Sequence, residues 1–429
     1  MKHINIGILG LGTVGCGTLD VLRRNAEIIA PRAGCELHVK RIATKNPAKP
    51  RPIPIDKSLV TGDVDAILND PEIHIVAELI GGVDPARDYV MRAIAAGKSV
   101  VTANKELIAK HGVEIVDAAE KAGVDFLFEG SVGGGIPLIS PLRESLAANR
   151  VLELTGIVNG TTNYILTKMT REGSSFDEVL AEAQKLGYAE GDPTADVDGF
   201  DSMYKLAILA SIAFSTPISL DNIQREGIRG VTARDIEYAR ELGHVIKLVA
   251  LARQHDDGSL ELRVHPALLN NEHPLANVNE VFNAVLVRGD AVGDVMFYGR
   301  GAGGGPTGSA VVGDIIEAAR NIASGGRARV HHEPNAAPQM RPFADFETRF
   351  YVRTQVPDQP GMLAQIATTF GQQGVSLESI VQKKTDGGLA EIVWMTHRTA
   401  QRNMDNSLAA FKELEAVREV SALLRVEGD

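Results

Sequence analysis

Near the start of the chain stands the run INIGILGLGTVGCGTLDVLRR, Ile4 to Arg24. Its apolar residues Ile4, Ile6, Ile8 and Leu9 predict a short strand. The strand ends at Gly10-Leu11-Gly12-Thr13-Val14-Gly15, a match to GxGxxG, and a helical pattern follows from Thr18 to Arg24. Strand, glycine turn and helix in that order are the context a dinucleotide fingerprint requires. Gly10 permits the tight turn. Gly12, with the backbone of Thr13 and Val14, lets a pyrophosphate approach the positive end of the helix, and Gly15 lets helix and strand pack closely. A glycine turn that merely closes a βα unit would share the spacing; the flanking elements favour a bound dinucleotide.

The same alternation continues outward. Strands are expected at Glu36 to Ala43, Ile73 to Ile80, Ser99 to Thr102 and Val124 to Glu129, with helices at Asp88 to Ala96 and Glu114 to Ala122. Units of this length imply a doubly wound parallel sheet of the Rossmann type. An acidic residue after the second strand would select NAD through the ribose 2′-hydroxyl. Here the residues are Arg41-Ile42-Ala43-Thr44-Lys45, and Lys45 would welcome a 2′-phosphate, so NADPH is expected, with NADH possible. A solvated loop lysine is the plainer alternative. Thr102-Ala103-Asn104-Lys105 lies at a strand's C-terminal end, where open α/β sheets place ligands.

The middle of the chain is less regular. The glycines of Phe128 to Pro137 (FEGSVGGGIP) could turn backbone carbonyls inward toward a hard cation, though such loops more often only turn. A strand at Leu152 to Val158 leads through Asn159-Gly160-Thr161-Thr162-Asn163 to a helix from Tyr164, and a second helix, Phe176 to Leu186, stops at Gly187. The segment from Gly187 to Ala213 (GYAEGDPTADVDGFDSMYKLAILASIA) sets Glu190, Asp192, Asp196, Asp198 and Asp201 ahead of an apolar helix. Asp201 and Lys205 are four apart and share one helical face. A proton donor held over a cationic substrate and an ordinary ion pair on a capped helix both fit that pattern. The acidic spacing does not match an EF-hand. Strands at Leu260 to Val264, Val281 to Val287 and Asp294 to Tyr298 suggest a mixed sheet suited to dimerisation. The glycine run Gly299 to Gly308 precedes a helix, Ser309 to Ile322, and reads as a return to the cofactor domain or as a hinge.

Ser324 to Ala344 reads as an exposed linker in which His331 and His332 are solvated. From Glu347 a βαββαβ pattern predicts a ferredoxin-like module. Its Asp358-Gln359-Pro360-Gly361 turn into a helix resembles the ligand loop of ACT domains, which bind free amino acids. The expected organisation is a cofactor domain at 1–130 completed by about 300–323, an α+β substrate and dimerisation domain at 131–299, a linker at 324–346 and an ACT domain at 347–429.

With 429 residues, 44% of them hydrophobic, the chain has material for several cores. A formal net charge of −11 argues against nucleic-acid or anionic membrane partners. Two cysteines, no signal-peptide pattern and no membrane-length apolar run fit a reducing, cytoplasmic setting. Both cysteines, Cys16 and Cys35, sit in the first βαβ unit. That speaks against an aldehyde oxidiser with a thiolate in its substrate domain. An amino-acid sensor without catalysis is a second rival, and the retained lysines and carboxylates argue against it.

The set GILGLGTVG, TANK, FEGSVGGGIP, NGTTNYI, GYAEGDPTADVDGFDSMYK and GRGAGGGPTGSAVVGD resembles the bacterial homoserine dehydrogenases that carry a C-terminal ACT domain, over nearly the whole chain. The resemblance implies NAD(P)H-dependent reduction of L-aspartate 4-semialdehyde to L-homoserine, on the route to threonine, methionine and isoleucine. It implies Lys205 as the acid/base and Lys105 beside cofactor and substrate. Glu190, Asp201 and Gly187 fall to the substrate, and Thr102 and Gly303 to the cofactor. Glu129, Val132, Gly134 and Ile136 would hold a monovalent cation, Na⁺ being the expected one. Feedback by threonine and a homodimer or homotetramer are further implications. Gly130 stands where many relatives have alanine, and no kinase-like segment precedes Met1.

Overall fold

The computed structural model describes residues 2–326, 339–384 and 387–428. In chain order the first elements are β1 (His3–Leu9), α1 (Thr13–Arg24), α2 (Ala26–Ala33), β2 (Glu36–Ala43), β3 (Val60–Thr61), α3 (Asp65–Leu68), β4 (Ile75–Glu78), α4 (Ala86–Ala95), β5 (Ser99–Thr102), α5 (Lys105–Ala122) and β6 (Phe126–Leu127). The middle adds β7 (Val151–Ile157), α6 (Gly160–Glu172), α7 (Phe176–Lys185), α8 (Thr194–Val197), α9 (Phe200–Ala213), β8 (Gln224–Arg225), α10 (Ala233–Glu241), β9 (His244–Gln254), β10 (Leu260–Asn270), β11 (Phe282–Gly289), β12 (Gly293–Arg300) and α11 (Gly304–Ser324). The last part is β13 (Glu347–Pro357), α12 (Met362–Gln372), β14 (Leu377–Lys384), β15 (Leu389–Thr396), β16 (Thr399–Ala400), α13 (Gln401–Phe411) and β17 (Glu419–Glu427). Two compact units result: Met1–Leu152 with Tyr204–Leu220 and Phe282–Pro338, and Glu153–Met203 with Asp221–Val281 and Gln339–Asp429.

The first unit is built on a parallel sheet in the order β3-β2-β1-β4-β5-β6. The order reverses between β1 and β4, the switch point of a doubly wound fold. Its core is the apolar residues the strands alternate inward, Ile4, Ile6, Ile8, Ile42 and Ile75, closed over by Leu19 and Leu22 of α1 and by Val311 and Ile315 of α11. α11 can lie this close to α1 because glycines meet there: a Cβ on Gly17 would stand 1.8 Å from the carbonyl oxygen of Gly304.

The second unit contains the mixed run β7-β9-β10-β17-β13-β15-β14. β7, β9 and β10 are antiparallel. The last four strands, with α12 and α13, form the βαββαβ module, and its Phe350, Phe370, Trp394 and Phe411 share one core. The module is not a separate bead. β17 pairs in parallel with β10, Ala267 opposite Arg425 and Leu268 opposite Val426, so one sheet continues from the middle of the chain into the C-terminal module.

Several elements start earlier than expected, each for a local reason. α5 begins at Lys105 rather than Glu114, because the Asn104 side chain caps it by accepting from the Leu107 N–H at 3.2 Å. α6 begins at Gly160 rather than Tyr164, capped by Asn159. α11 begins at Gly304 rather than Ser309, its glycine run being the first turn of a helix pressed on α1. β9 and α10 were not expected from the pattern at all. Most of the linker, with His331 and His332, falls on 327–338, outside the described residues.

Candidate active site

Register gathers the expected cofactor residues at one edge of the first sheet. Leu9 stands opposite both Ala43 and Glu78, and Glu78 opposite Thr102. The residues following those strands, among them Gly10, Lys45 and Lys105, therefore leave the sheet at the same end. Gly10 has φ 101°, and a Cβ there would meet the Leu79 carbonyl oxygen at 2.4 Å. A Cβ on Gly15 would lie 2.3 Å from the Gly10 carbonyl oxygen. Gly12 and Thr13 are exposed, nothing stands within 4 Å of a Cβ placed on Gly12, and Val14 is half-buried beneath them. The N-terminus of α1 is thus open to an anion. Gly303, at φ 125°, caps α11 where the Gly304 backbone abuts Thr13.

Arg51 is a residue the sequence reading passed over. Its guanidinium donates to the Leu11 carbonyl (2.5 Å), Thr44 Oγ1 (3.3 Å) and the Asn46 carbonyl (3.0 Å), tying the glycine turn to the loop that carries the exposed Lys45. It lies in the proline-rich stretch Pro47 to Pro54, which has no periodicity to draw notice.

The turn at the end of β5 is clamped. Thr102 Oγ1 donates to Glu78 Oε2 (2.7 Å) and accepts from the Asn104 N–H (3.0 Å), while Asn104 Nδ2 donates to the Gly82 carbonyl (2.6 Å). Lys105, half-buried, is the first residue of α5. Lys205 lies on α9 and is 8% exposed, with Leu206 and Leu209 of the same helix fully buried.

In the second unit the acidic segment is organised by Asn159. Its Nδ2 donates to Asp196 Oδ1 (2.6 Å) and to Asp201 Oδ2 (2.8 Å). Thr161 Oγ1 donates to the Tyr188 carbonyl (2.7 Å), and the rings of Tyr164 and Tyr188 meet edge-on at 4.9 Å. Gln184 Nε2 holds the carbonyls of Glu190 (3.0 Å) and Gly191 (3.2 Å). These contacts bring the segment around Tyr188, with Gly187 and Glu190 both exposed, to the first turn of α6, the helix whose cap Asn159 holds the buried Asp201. Asp196, one of the five carboxylates of the segment but given no role there, is joined to Asp201 by Asn159, and Tyr188, which the pattern does not mark, reaches the same helix start through Thr161 and Tyr164.

The 129–140 loop closes on itself. The Glu129 carboxylate accepts from the N–H groups of Leu138 (2.6 Å), Ile139 (2.8 Å) and Ser140 (2.7 Å), and the Glu129 N–H donates to Asp314 Oδ2 (2.8 Å). Burial, reinforced by the neighbouring Glu129, pushes the Asp314 carboxyl well above the usual range. Gly133 and Gly134 turn with φ 71° and 56°, and Val132 and Ile136 are buried. A cation in this loop would rest on carbonyl oxygens, since the Glu129 side chain is committed to backbone donors. Cys16 and Cys35 are buried and their thiols are shifted up by that burial, the reverse of an activated thiolate. No helix among the described residues is long and apolar enough to cross a membrane.

An exposed glycine turn opening a helix at the switch point of a doubly wound sheet defines a dinucleotide-binding protein of the Rossmann class. Comparison with known proteins narrows the class. Residues 137–316 match the homoserine dehydrogenase family model, 10–129 the model for the homoserine dehydrogenase NAD-binding domain and 350–416 the ACT domain. A homoserine dehydrogenase of Synechocystis is 47% identical over 99% of this chain and 99% of its own, and one of Pseudomonas aeruginosa is 46% identical over 100% and 99%. The crystal structure of a homoserine dehydrogenase from Thiobacillus denitrificans superposes with a TM-score of 0.93 at 45% identity, covering 100% of this chain and 99% of that one. A hyperthermophilic archaeal homoserine dehydrogenase solved in complex with NADPH matches 74% of this chain and 98% of its own, with a TM-score of 0.62 at 30% identity. The chain belongs to the homoserine dehydrogenase family, in the form that carries an ACT domain.

Proposed function

We propose that the chain reduces L-aspartate 4-semialdehyde to L-homoserine with NADPH, with Lys205 as the acid that protonates the new alkoxide. The observation that carries this reading is a lysine 8% exposed on an apolar helix, one turn after a buried aspartate. Bound NADPH supplies the hydride. Lys205, as an ammonium, stabilises the negative charge that builds on the aldehyde oxygen and then gives up its proton. Lys105, the first residue of α5, would face the nicotinamide and the substrate. Glu190 pairs with the substrate ammonium, Asp201 helps to orient it, and Gly187 leaves room for it. Gly10, Gly12, Thr13, Val14 and Gly15 hold the pyrophosphate, with Thr102 and Gly303 on the nicotinamide side. Carbonyls of Glu129, Val132, Gly134 and Ile136 hold a monovalent cation, Na⁺, whose role is to stiffen the loop. Oxidation of NADPH on addition of L-aspartate 4-semialdehyde tests the reading; no oxidation by the full chain overturns it.

The cofactor preference rests on charge. Lys45 is exposed at the loop after β2, Arg51 braces that loop, and no carboxylate stands among Arg41 to Lys45. NADPH is expected to bind at least about 10-fold more tightly than NADH, one charge-assisted contact being worth about 1.5–3 kcal/mol. Equal or reversed dissociation constants in a fluorescence titration remove Lys45 from that role.

The product feeds threonine, methionine and isoleucine synthesis in the cytoplasm, and threonine acts back through the ACT module. The turn at Asp358 to Gly361, with Gly361 at φ 93°, opens α12 and is the ligand loop in this reading. Added threonine is expected to lower the initial rate of the full chain; an unchanged rate rules threonine out as the effector. A homodimer or homotetramer fits the exposed Val292, Met296 and Tyr298 around β12.

A further inference from the structure

We infer that Asn159 is a positioning residue that holds Asp196 and Asp201 together for recognition of the substrate, an inference that rests on the function proposed above. The amide can sit only one way round. Its Oδ1 accepts from the Thr162 N–H (2.8 Å) and from Thr162 Oγ1 (2.9 Å), so the carbonyl side is fixed toward the helix as the α6 cap. The two Nδ2 protons then point at two different carboxylates, Asp196 Oδ1 at 2.6 Å and Asp201 Oδ2 at 2.8 Å. Asp201 is 3% exposed and Asn159 is buried. Two carboxylates converging on one point repel unless donors lie between them, and an amide supplies two at a fixed angle. Serine, threonine or aspartate would cap α6 about as well as asparagine. Of these only asparagine caps with an oxygen and offers two protons on the far side. The cap explains a small polar residue at 159; the carboxylate pair explains why it is an amide.

The two roles separate by substitution. Asn159→Asp keeps the cap and replaces both donors with a third negative charge. Asn159→Ser keeps the cap and removes the donors without adding charge. Both are expected to raise KM for L-aspartate 4-semialdehyde by about 10- to 100-fold, the range for hydrogen bonds to a charged group, with Asn159→Asp the worse. KM for NADPH should stay within about twofold, since an undisturbed fold leaves cofactor binding as it was, and Tm should move by only a few degrees because the cap survives. The inference is overturned if both variants keep the wild-type KM for the semialdehyde. It is equally overturned if both KM values and Tm fail together, or if neither variant folds, because Asn159 then serves the chain rather than the carboxylates. Wild-type turnover is measured first: its absence sinks the proposed function, whereas an active wild type with indifferent variants sinks only the role of Asn159.

Discussion

Replacing Lys205 with alanine is expected to lower kcat for semialdehyde reduction by about 100-fold or more while NADPH still binds. The expectation follows from where the side chain is. α9 carries Leu206, Ala207, Leu209 and Ala210, all buried, so Lys205, itself 8% exposed, enters a largely apolar stretch of the helix. A buried lysine is costly, and such groups concentrate at functional sites, though Lys98 and Lys247 of this chain are buried on carbonyl and amide oxygens instead. When the aldehyde carbon takes up hydride, the oxygen gains a full negative charge. In the proposed reaction Lys205 is the donor that meets this charge. Alanine removes both the charge and the proton. Cofactor binding is the control that separates chemistry from collapse: the glycine turn, Arg51 and Lys45 belong to the first sheet's edge and do not include Lys205. Retained wild-type turnover in Lys205→Ala would remove the lysine from the mechanism. Loss of both turnover and NADPH binding would show that the substitution had broken the fold.

Much of this was legible in the sequence, for identifiable reasons. The glycine fingerprint and the strand–helix alternation around it are contiguous, so the dinucleotide-binding fold is written in local order, and the segments Thr102 to Lys105 and Gly187 to Lys205 draw notice for the same reason. The βαββαβ module was legible because its strands alternate and its turns carry Pro and Gly. What was hidden depends on pairing across distance. β9 and β10 place Arg253, Glu261, Arg263 and His265 where alternation leads one to expect apolar residues. These charges are admitted because they are paired: Arg253 Nε lies 2.7 Å from Glu153 Oε2, and Arg263 Nη2 lies 2.6 Å from Glu427 Oε1 and 3.1 Å from Glu261 Oε1. Burial alone would raise the Glu427 carboxyl, but Arg263 and His265 outweigh it and hold it down at about 2. The parallel β10–β17 pairing has no local signature either, so the C-terminal module looked like an appendage. Helix starts were misplaced for a related reason: glycine disfavours helix by itself, and caps and packing on α1 override that preference.

The largest stability effect is expected at Arg353, where the C-terminal module meets α10. Arg353 is 6% exposed; its Nε lies 2.8 Å from Asp235 Oδ1 and its Nη1 2.8 Å from Glu391 Oε2. Asp235 also accepts from the Tyr351 hydroxyl (3.1 Å) and caps α10 with Thr232. Glu391 also accepts from the Tyr238 hydroxyl (2.6 Å) and Arg234 Nε (2.8 Å). Burial by itself would raise the Glu391 carboxyl, yet the bonds from Tyr238, Arg234 and Arg353 hold it below the usual range. Its contribution is therefore fully present above about pH 4.3, the ordinary glutamate value, and is lost as the pH falls below that. Arg353→Met removes the cation between two buried carboxylates, and breaking such a pair from one side costs about 3–5 kcal/mol. Trp394, the chain's single tryptophan, lies fully buried on β15 with its Nε1 donating to Thr354 Oγ1 at 3.0 Å, so its fluorescence reports this region directly. Urea unfolding at pH 7 followed through Trp394 should show a clearly lowered midpoint in Arg353→Met. Adding Asp235→Asn should restore part of it, because Asp235 is the carboxylate left without a cation, whereas Glu391 keeps Arg234. An unshifted midpoint in the single variant would overturn the role given to Arg353.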